Sequence, residues 1–454
     1  MSGPMHAGAG GRIRWLPRFL QPAPPAPMET DPQVVAQRYA YYRPRILVWS
    51  IVGYAMFYFV RKNLSMAMPG MSEDLGISKA DLGGFLTLHS LLYGVSKFAN
   101  GIVGDRANAR TFMALGLLCS AVLNIAFGLS GMVVALGIIW MLNGWFQGMG
   151  FPPCARLLTH WFSPRELATK MSVWNTSHSI GAGAVVVLCG YLVDRGGDWR
   201  LCFFVPAGLS IICAGLLLAY LRDTPASVGL PPVEGTGTDA TDAAGERGVT
   251  DVVTRRVLRN RYIWILALSN FFVYTIRYAI LDWGPTMLKE YRGISLTYAG
   301  WTVAAFEVAG LVGMLASGWL TDRIFGGRGA RTCLFCMLLC GACLWAFWRM
   351  PPGHALLSTA VLMAAGFFIY GPQALVGISA ANLATKEAAA TAVGLTGIFG
   401  YASGLVSGWA LGAMVDRWGW DDAFLVLLGA AALAAMCFLA AWPAPRDGYA
   451  EQRN

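Results

Sequence analysis

Segments of about twenty apolar residues recur along nearly the whole chain, and this repetition limits the folds available to it. A segment of that length crosses a bilayer as a single α-helix, because a backbone surrounded by lipid must satisfy its hydrogen bonds internally. Of the 454 residues, 56% are hydrophobic and 13% are charged. The sequence therefore predicts an all-α protein embedded in a membrane.

Twelve transmembrane helices are predicted from these segments. We place them at residues 46–68, 82–103, 111–130, 133–155, 170–192, 201–221, 262–288, 297–320, 332–349, 355–378, 390–414 and 423–443. The residues before the first helix contain Pro and Arg but no cleavable signal pattern, and we expect them to form a mostly disordered cytoplasmic lead.

A polar stretch rich in Gly, Thr, Asp and Pro, residues 222–258, separates the sixth segment from the seventh. We interpret it as a cytoplasmic linker. The predicted organisation is a lead at 1–45, an N-terminal six-helix half at 46–221, a linker at 222–260, a C-terminal six-helix half at 261–443 and a cytoplasmic tail at 444–454.

An internal repeat supports this division. Residues 76–106 align without gaps to residues 293–323 with nine identities, among them Gly76/Gly293, Gly101/Gly318 and the closing Asp-Arg pairs. The tripeptide VDR also occurs twice, at 193–195 and 415–417, before the last segment of each half. The duplication predicts two parallel, pseudo-symmetric halves.

The distribution of basic residues predicts the orientation, because cytoplasmic loops retain Lys and Arg. With the N-terminus inside, 23 of the 34 basic residues are cytoplasmic, 7 are outside, and Arg61, Lys62, Lys97 and Arg277 lie within or at the edge of membrane segments. Both termini are therefore expected in the cytoplasm. This asymmetry also accounts for the net charge of +9 without a nucleic-acid partner.

Arg277 lies inside the apolar segment NFFVYTIRYAILDW, where an unpaired charge costs roughly 3 kcal/mol at the bilayer centre. The repeat makes it the equivalent of Arg61, since both follow a tyrosine by three positions. In a protein of two parallel repeats, such residues face one another across a central cavity. Two guanidinium groups repel there unless an anion lies between them, and each can bind a phosphate in bidentate fashion. The sequence therefore predicts a phosphorylated ligand.

Seven motifs resemble, in order, those of the organophosphate:phosphate antiporters of the major facilitator superfamily, over about residues 38–443. They are GYAMFYFVRKN (53–63), YGVSKF (93–98), GWFQGMGFPPCAR (144–156), SVWNTSHSIGAG (172–183), RDTPASVGLPP (222–232), VYTIRYAILDW (273–283) and FFIYGPQALVG (367–377). The glycerol-3-phosphate transporters of this family resemble the chain most, followed by its hexose-phosphate sensors and transporters.

The resemblance implies the major facilitator fold and exchange of an organic phosphate for inorganic phosphate by a rocker-switch movement. It implies that Arg61 and Arg277 bind the phosphate, that His178 is a third contact, and that Lys97 is a basic residue of the same cavity. The expected lining comprises Tyr54, Tyr58, Trp145, Asn175, Tyr274, Tyr370 and Tyr401. Four further residues resemble a loop motif of the superfamily that holds the cytoplasmic gate shut: Asp105, Arg106, Asp322 and Arg323.

Each assignment has a structural alternative. The two arginines can instead form ion pairs with Asp282 or Glu307, and these acids can balance charge in the empty protein or bridge helices. His178 can be an interior histidine with satisfied hydrogen bonds, and the tyrosines and tryptophans can lie at the membrane interface. We expect His89 to be structural. Lys62 follows Arg61 on a helix and so points about 100° away, which predicts a contact with lipid headgroups or a loop.

Four cysteines, Cys333, Cys336, Cys340 and Cys343, have a spacing similar to that of metal ligands. They form a stripe of about 15 Å along one helix and so cannot converge on one metal. We expect them to be packing residues. The sequence also lacks catalytic and phosphate-cradling loop motifs, so we expect neither an enzyme nor a bound cofactor.

The expected partners are a small phosphorylated metabolite, inorganic phosphate and the bilayer of the bacterial inner membrane. Two other functions remain open: a receptor for external hexose phosphate that acts with a histidine kinase, and a proton-coupled anion carrier that depends on Asp282 or Glu307. Hexose-phosphate transporters of the family carry an acid and a lysine where this chain has Val393 and Thr396. These neutral residues favour glycerol 3-phosphate over a hexose phosphate, although the sensor is neutral there as well.

Overall fold

The computed structural model describes residues 16–104, 106–233, 254–351 and 353–446. The first span consists of two helices, Pro32–Phe59 and Leu64–Leu75, and the second span is Lys79–Gly104. The other ten spans are Ala109–Leu129, Val133–Trp161, Thr169–Gly196, Leu201–Tyr220, Arg261–Arg292, Leu296–Arg323, Gly329–Arg349, Ala355–Ala384, Thr391–Trp418 and Trp420–Ala440.

Several spans are locally irregular. The fourth contains the helices Val133–Gln147 and Phe151–Trp161. The fifth is reached through the helix Pro164–Asn175 and continues as Ser177–Gly196. One continuous helix, Ala355–Ala402, includes the tenth span and the first part of the eleventh, which ends as a π-helical turn, Leu405–Ala410, and the helix Leu411–Trp418.

Ten of the described helices are long and apolar enough to cross a membrane by length and composition alone. The first and second spans contain more charge but pack as their counterparts in the C-terminal half do. The second span packs on the fourth and eleventh, and its equivalent, the eighth, packs on the tenth and fifth. The expectation of an all-α membrane protein with twelve helices in two pseudo-symmetric halves is confirmed.

We call the side of the bundle near the linker the linker end and the opposite side the far end. Contacts between the halves join the second span to the eleventh, the fifth to the eighth, and the helix Leu64–Leu75 to the seventh. In the described chain, all the larger contacts of the helix Pro32–Phe59 are with helices of its own half. The larger contacts between the two halves in the described chain therefore run from mid-depth to the far end.

The lead is ordered where the structure describes it, so the expectation of a mostly disordered segment is wrong for residues 16–45. Leu20 accepts a hydrogen bond from the amide of Asn108 at 2.9 Å, and the amides of Ala26 and Glu29 donate to the carbonyls of Ala226 and Gly229 at 2.9 and 2.8 Å. Residues 1–15 lie outside the described chain, as do residues 234–253 of the linker and 447–454 of the tail. Composition did not reveal this order because the partners are backbone groups distant in sequence.

Asp223 joins the lead to the N-terminal half. Its carboxylate is only 2% exposed and accepts from the amide of Ala23 at 3.2 Å and from the amide of Ala109 at 2.9 Å. It also forms an ion pair with Arg156 at 3.4 Å. One buried carboxylate thus ties together the lead, the third span and the fourth span.

Repeated glycines allow the halves to touch at the far end. A Cβ on Gly83 would lie 2.3 Å from the carbonyl oxygen of Gly408, and a Cβ on Gly300 would lie 2.6 Å from the carbonyl oxygen of Val186. Gly83 and Gly300 are equivalent residues of the repeat, in the second and eighth spans. Each therefore lets a span of one half approach the backbone of the other half closely.

The VDR tripeptides supply a second symmetric contact. Asp416 accepts from the amide of Ala80 at 2.8 Å, and Asp194 accepts from the amide of Thr297 at 2.8 Å. Ala80 and Thr297 begin equivalent spans, so each aspartate caps the N-terminus of a helix in the opposite half. Both tripeptides stabilise the closed far end.

We expect Asp223→Ala to destabilise the N-terminal half, because it leaves the buried Arg156 without this carboxylate and removes an acceptor from two amides. Removing one partner of a buried ion pair typically costs about 3–5 kcal/mol. The thermal unfolding midpoint of the purified protein measures the effect. Glu73→Ala is the control, since Glu73 pairs with Lys289 through a side chain that is 68% exposed. A loss for Asp223→Ala no larger than the control's would contradict the role of this carboxylate.

We expect Gly83→Ala to loosen the far end, because its methyl group would collide with the backbone of Gly408. Gly84→Ala is a matched control, since a Cβ on Gly84 would meet its nearest neighbour at 4.0 Å. Hydrogen–deuterium exchange of residues 79–90 and 405–418 should rise in Gly83→Ala and stay near wild type in Gly84→Ala. Equal exchange in the two variants would show that the close approach does not hold the far end closed.

Candidate functional site

Arg61 lies at the interruption of the first span, against aromatic rings. Its guanidinium carbon is 4.2 Å from the ring centre of Tyr93 and 5.5 Å from that of Tyr58. In the described part of the chain no carboxylate lies within ion-pair distance of it. Arg61 is therefore a cation that is stabilised by aromatic faces and remains without a counter-ion.

Arg277 has a different environment on the seventh span, which is unbroken. It is 8% exposed, donates to the hydroxyl of Tyr370 at 2.9 Å and lies 3.6 Å from the carboxylate of Glu307. The Nε atom of Arg277 and the second carboxylate oxygen of Glu307 are buried without a hydrogen-bond partner. Arg277 thus forms a long ion pair with Glu307, and its Nε–H group remains available to donate a hydrogen bond.

Lys62 is buried in the structure, so the predicted contact with headgroups or a loop is wrong. Its ammonium group forms an ion pair with Asp282 of the seventh span at 2.5 Å and lies 5.5 Å from the ring centre of Tyr278. The prediction assumed a regular helix through Arg61 and Lys62, whereas residues 60–63 lie between two helices. The pair connects the two halves.

Lys97, on the second span, also reaches the other half. Its ammonium group donates to the hydroxyl of Tyr401 at 3.0 Å and lies 4.8 Å from the ring centre of Phe151. Tyr93, one turn before Lys97, packs edge-on against Tyr401 at 5.5 Å. The second and eleventh spans therefore meet through a cation and two tyrosines.

The site carries an excess of positive charge. Four cations, Arg61, Lys62, Lys97 and Arg277, are accompanied by two carboxylates, Asp282 and Glu307, which leaves a net charge of +2 among the described residues. The two carboxylates form ion pairs with Lys62 and Arg277. The unneutralised charge therefore resides on Arg61 and Lys97, and an anion with two negative charges matches it.

Some expected lining residues gather around Arg61. Tyr54 packs edge-on against Tyr58 at 5.7 Å, and the ring of His178 lies 6.0 Å from that of Tyr58. The Nδ1 atom of His178 is 3.1 Å from the hydroxyl of Ser179, which leaves Nε2 available. Tyr274 packs on Tyr278 at 5.3 Å and joins this group from the seventh span.

Two expected lining residues are not brought into the cluster. Asn175 is exposed at the end of its helix, and the adjacent Trp174 is buried instead and packs on Tyr54 at 4.7 Å. Trp145 is half-buried, its carbonyl accepts from Asn100 at 3.3 Å, and its ring makes no described contact with the tyrosines. The sequence motif predicted that this stretch of helix lies at the site, but it did not predict which of its side chains packs against the tyrosines.

Sequence reasoning missed four residues of the cluster: Tyr93, Phe151, Trp174 and Tyr278. Tyr93 could have been found, because residues four apart share a helix face and Tyr93 precedes Lys97 by four positions. Tyr278 directly follows Arg277, and adjacent residues of a helix point in different directions, so helical periodicity did not predict that both lie in the site.

Other candidates lie outside the site. His89 is 4% exposed, stacks on Trp140 at 5.3 Å, and its Nδ1 is 3.1 Å from the carbonyl of Trp140. The four cysteines lie along the ninth span; Cys333, Cys336 and Cys340 are buried and Cys343 is half-buried. Within the described chain, no group of His, Cys, Asp and Glu could hold a metal ion.

Three of the four loop-motif residues, Arg106, Asp322 and Arg323, are described and lie at the linker end. Asp105 lies outside the described residues. Arg106 is exposed and donates to the carbonyl of Ile102 in its own span at 3.0 Å. Asp322 and Arg323 are exposed at the end of the eighth span.

Two six-helix halves with a cationic, aromatic site between them define a membrane carrier. A family model for the Major Facilitator Superfamily matches residues 50–408, and the chain belongs to this superfamily. The resemblance identified from the sequence motifs is therefore confirmed, and the membership identifies a membrane transporter rather than an enzyme.

Relatives cover nearly the full length of the chain. A probable hexose phosphate transport protein of Chlamydia pneumoniae is 40% identical over 442 residues, which are 94% of this chain and 97% of that protein. The glycerol-3-phosphate transporter of Bacillus subtilis is 39% identical over 434 residues, or 93% and 97% of the two chains. The membrane sensor protein UhpC of Salmonella typhimurium is 40% identical over 430 residues, or 93% and 96%.

Solved structures support the fold. A bacterial homologue of the human lysosomal transporter Spinster, in an inward-facing and occupied conformation, superposes with a TM-score of 0.70 at 15% identity, covering 88% of this chain and 97% of that one. The nucleoside transporter NupG gives a TM-score of 0.69 at 13% identity, covering 88% and 99%.

Proposed function

We propose that the protein is a secondary active transporter that exchanges an organic phosphate ester, preferably glycerol 3-phosphate, for inorganic phosphate by alternating access. The observation that carries this proposal is the net charge of +2 in the site, which resides on Arg61 and Lys97. A dianionic phosphoryl group matches this charge and the geometry of a guanidinium fork. Relatives named for hexose phosphate, glycerol 3-phosphate and phosphoglycerate transport support a phosphorylated substrate.

The binding step begins in a state whose linker end is open. The phosphoryl group approaches from the linker end, meets Arg61, Lys97 and His178 on the N-terminal half, and then competes with Glu307 for Arg277. The ligand thereby connects residues of both halves and draws their linker ends together. Asp105, Arg106, Asp322 and Arg323 hold that end closed in the alternate state, while the far-end contacts release.

Obligatory exchange follows from electrostatics. Crossing without an anion would bring the unneutralised Arg61 and Lys97 toward Arg277 in a closed cavity of low dielectric, which is unfavourable. An organic phosphate and inorganic phosphate each remove this cost. The empty carrier is therefore slow to convert, and the loaded carrier converts in either direction.

We further propose that the linker end and both termini lie in the cytoplasm of a bacterium and that the protein lies in the inner membrane. The lysines and arginines concentrated at this end support that placement.

A receptor is the second candidate function, because the sensor UhpC matches the chain as well as the named transporters do. In that role the same site binds an external hexose phosphate, and the partner is a membrane histidine kinase. A proton-coupled carrier is the third. It needs a carboxylate that takes up a proton, and both candidates, Asp282 and Glu307, already have cationic partners at 2.5 and 3.6 Å.

We expect Arg61→Lys and Arg277→Lys each to lower phosphate exchange at least about hundredfold, although the charge is retained, because an ammonium group loses the bidentate fork. The measurement is counterflow of labelled phosphate in liposomes. Arg292→Lys is the control, since Arg292 donates to backbone carbonyls at the far end of the seventh span. Near wild-type exchange in either site variant would show that the two arginines do not form the phosphate site.

We expect glycerol 3-phosphate to compete with labelled phosphate better than glucose 6-phosphate does. Val393 is neutral, and the hydroxyl of the buried Thr396 donates to the carbonyl of Val393 at 2.9 Å, so neither residue supplies a charge for a sugar phosphate. The same liposomes measure both competitors. Stronger competition by glucose 6-phosphate would reverse the substrate preference, and specific binding without exchange would indicate a receptor.

A further inference from the structure

The first span is interrupted at Arg61, and its counterpart is not interrupted at Arg277. The helix ends at Phe59 and a new helix begins at Leu64, whereas the seventh span is a single helix, Arg261–Arg292. The two arginines are equivalent in the repeat, so the duplication does not explain the difference. The cause must therefore lie in residues that differ between the two halves.

Three buried asparagines surround the interruption, and each is 0% exposed. The amide nitrogens of Asn124, on the third span, and Asn143, on the fourth, donate to the carbonyl of Val60 at 3.0 and 2.8 Å. Asn63 donates to the side chain of Asn124 at 2.7 Å and to the carbonyl of Cys202, on the sixth span, at 2.9 Å. The interruption is therefore bonded to three other spans.

These bonds explain why the helix stops. In an unbroken helix the carbonyl of Val60 would accept from the amide of Leu64, and in a low-dielectric interior a carbonyl that loses this partner must find another. Asn124 and Asn143 supply two donors at once. At the matching positions of the seventh span, Ile276 replaces Val60 and Ala279 replaces Asn63, so that span has no amide at this point.

The interruption separates two neighbouring cations. Along a regular helix, Arg61 and Lys62 would point about 100° apart, and only one of them could face the other half. In the structure Arg61 lies over Tyr58 and Tyr93, while Lys62 crosses to Asp282 at 2.5 Å. One short segment therefore serves both the anion site and the contact between the halves.

We propose that Asn124 and Asn143, with Asn63, are positioning residues that hold the interruption of the first span and thereby aim Arg61 at the phosphoryl group. This inference rests on the proposed role of Arg61 in phosphate binding. Each of the three asparagines is 0% exposed and so is not accessible to a ligand in the site. They act through the carbonyl of Val60, one residue before Arg61.

The experiment uses Asn143→Leu, which keeps the size of the side chain and removes the donor. In liposomes, the KM for inorganic phosphate should rise about tenfold while kcat falls less than about threefold, because the site is misaligned but the closing movement remains. Asn270→Leu is the matched control: Asn270 is 5% exposed and donates to the carbonyl of Thr396 at 2.8 Å, on a span that is not interrupted.

The control separates positioning from stability. Asn270→Leu should lower the thermal unfolding midpoint about as much as Asn143→Leu, with KM within about twofold of wild type. If Asn143→Leu does not fold, Asn143→Ser leaves Asn124 as the remaining donor and should raise KM about threefold. A KM near wild type in the folded Asn143 variant, or an equal rise in Asn270→Leu, would overturn the inference.

The same liposomes distinguish this inference from the proposed function. Full exchange by Arg61→Lys would reject the anion site itself. Loss of exchange in Arg61→Lys together with an unchanged KM in the Asn143 variant would keep the anion site and reject the positioning role alone.

Discussion

Uncompensated positive charge at the middle of the bundle is the constraint on which the rest of this structure depends. Among the described residues, Arg61 and Lys97 contact aromatic rings and a tyrosine hydroxyl, whereas Asp282 and Glu307 are engaged by Lys62 and Arg277. Such a site is costly to enclose without an anion. It explains why tyrosines concentrate around the cations, whose charge their ring faces stabilise.

Symmetry between the halves is retained in their far-end contacts and broken around the two arginines. Gly83 and Gly300 allow the same close approach in the two halves, and Asp416 and Asp194 cap equivalent helices. A movement that separates the far ends benefits from two matched contacts, since both release together. Around the arginines, in contrast, the first span is interrupted by asparagine amides and the seventh is continuous.

Sequence reasoning succeeded where one local rule dominates. Long apolar segments predicted twelve spans, because the bilayer leaves the backbone no alternative to a helix. It failed where a side chain's direction depends on an irregular backbone. Lys62 was assigned by helical periodicity to a headgroup or loop contact, but the residues around it are not helical, and Trp174 rather than Asn175 packs on Tyr54. The ordered lead was missed because several of its partners, among them Asp223 and the carbonyls of Ala226 and Gly229, lie about two hundred positions away in sequence.

The sequence by itself determined the membrane fold, the two-half organisation and the pair of arginines, because each is encoded by apolar length, by internal repetition or by a charge that lipid does not tolerate unpaired. Only the tertiary structure decided which cations have counter-ions, which side chains face the cavity and where the first span stops. Those outcomes depend on donors and acceptors from spans far apart in the chain. Val60 meets Asn124 and Asn143, and Lys62 meets Asp282, only after the helices have packed.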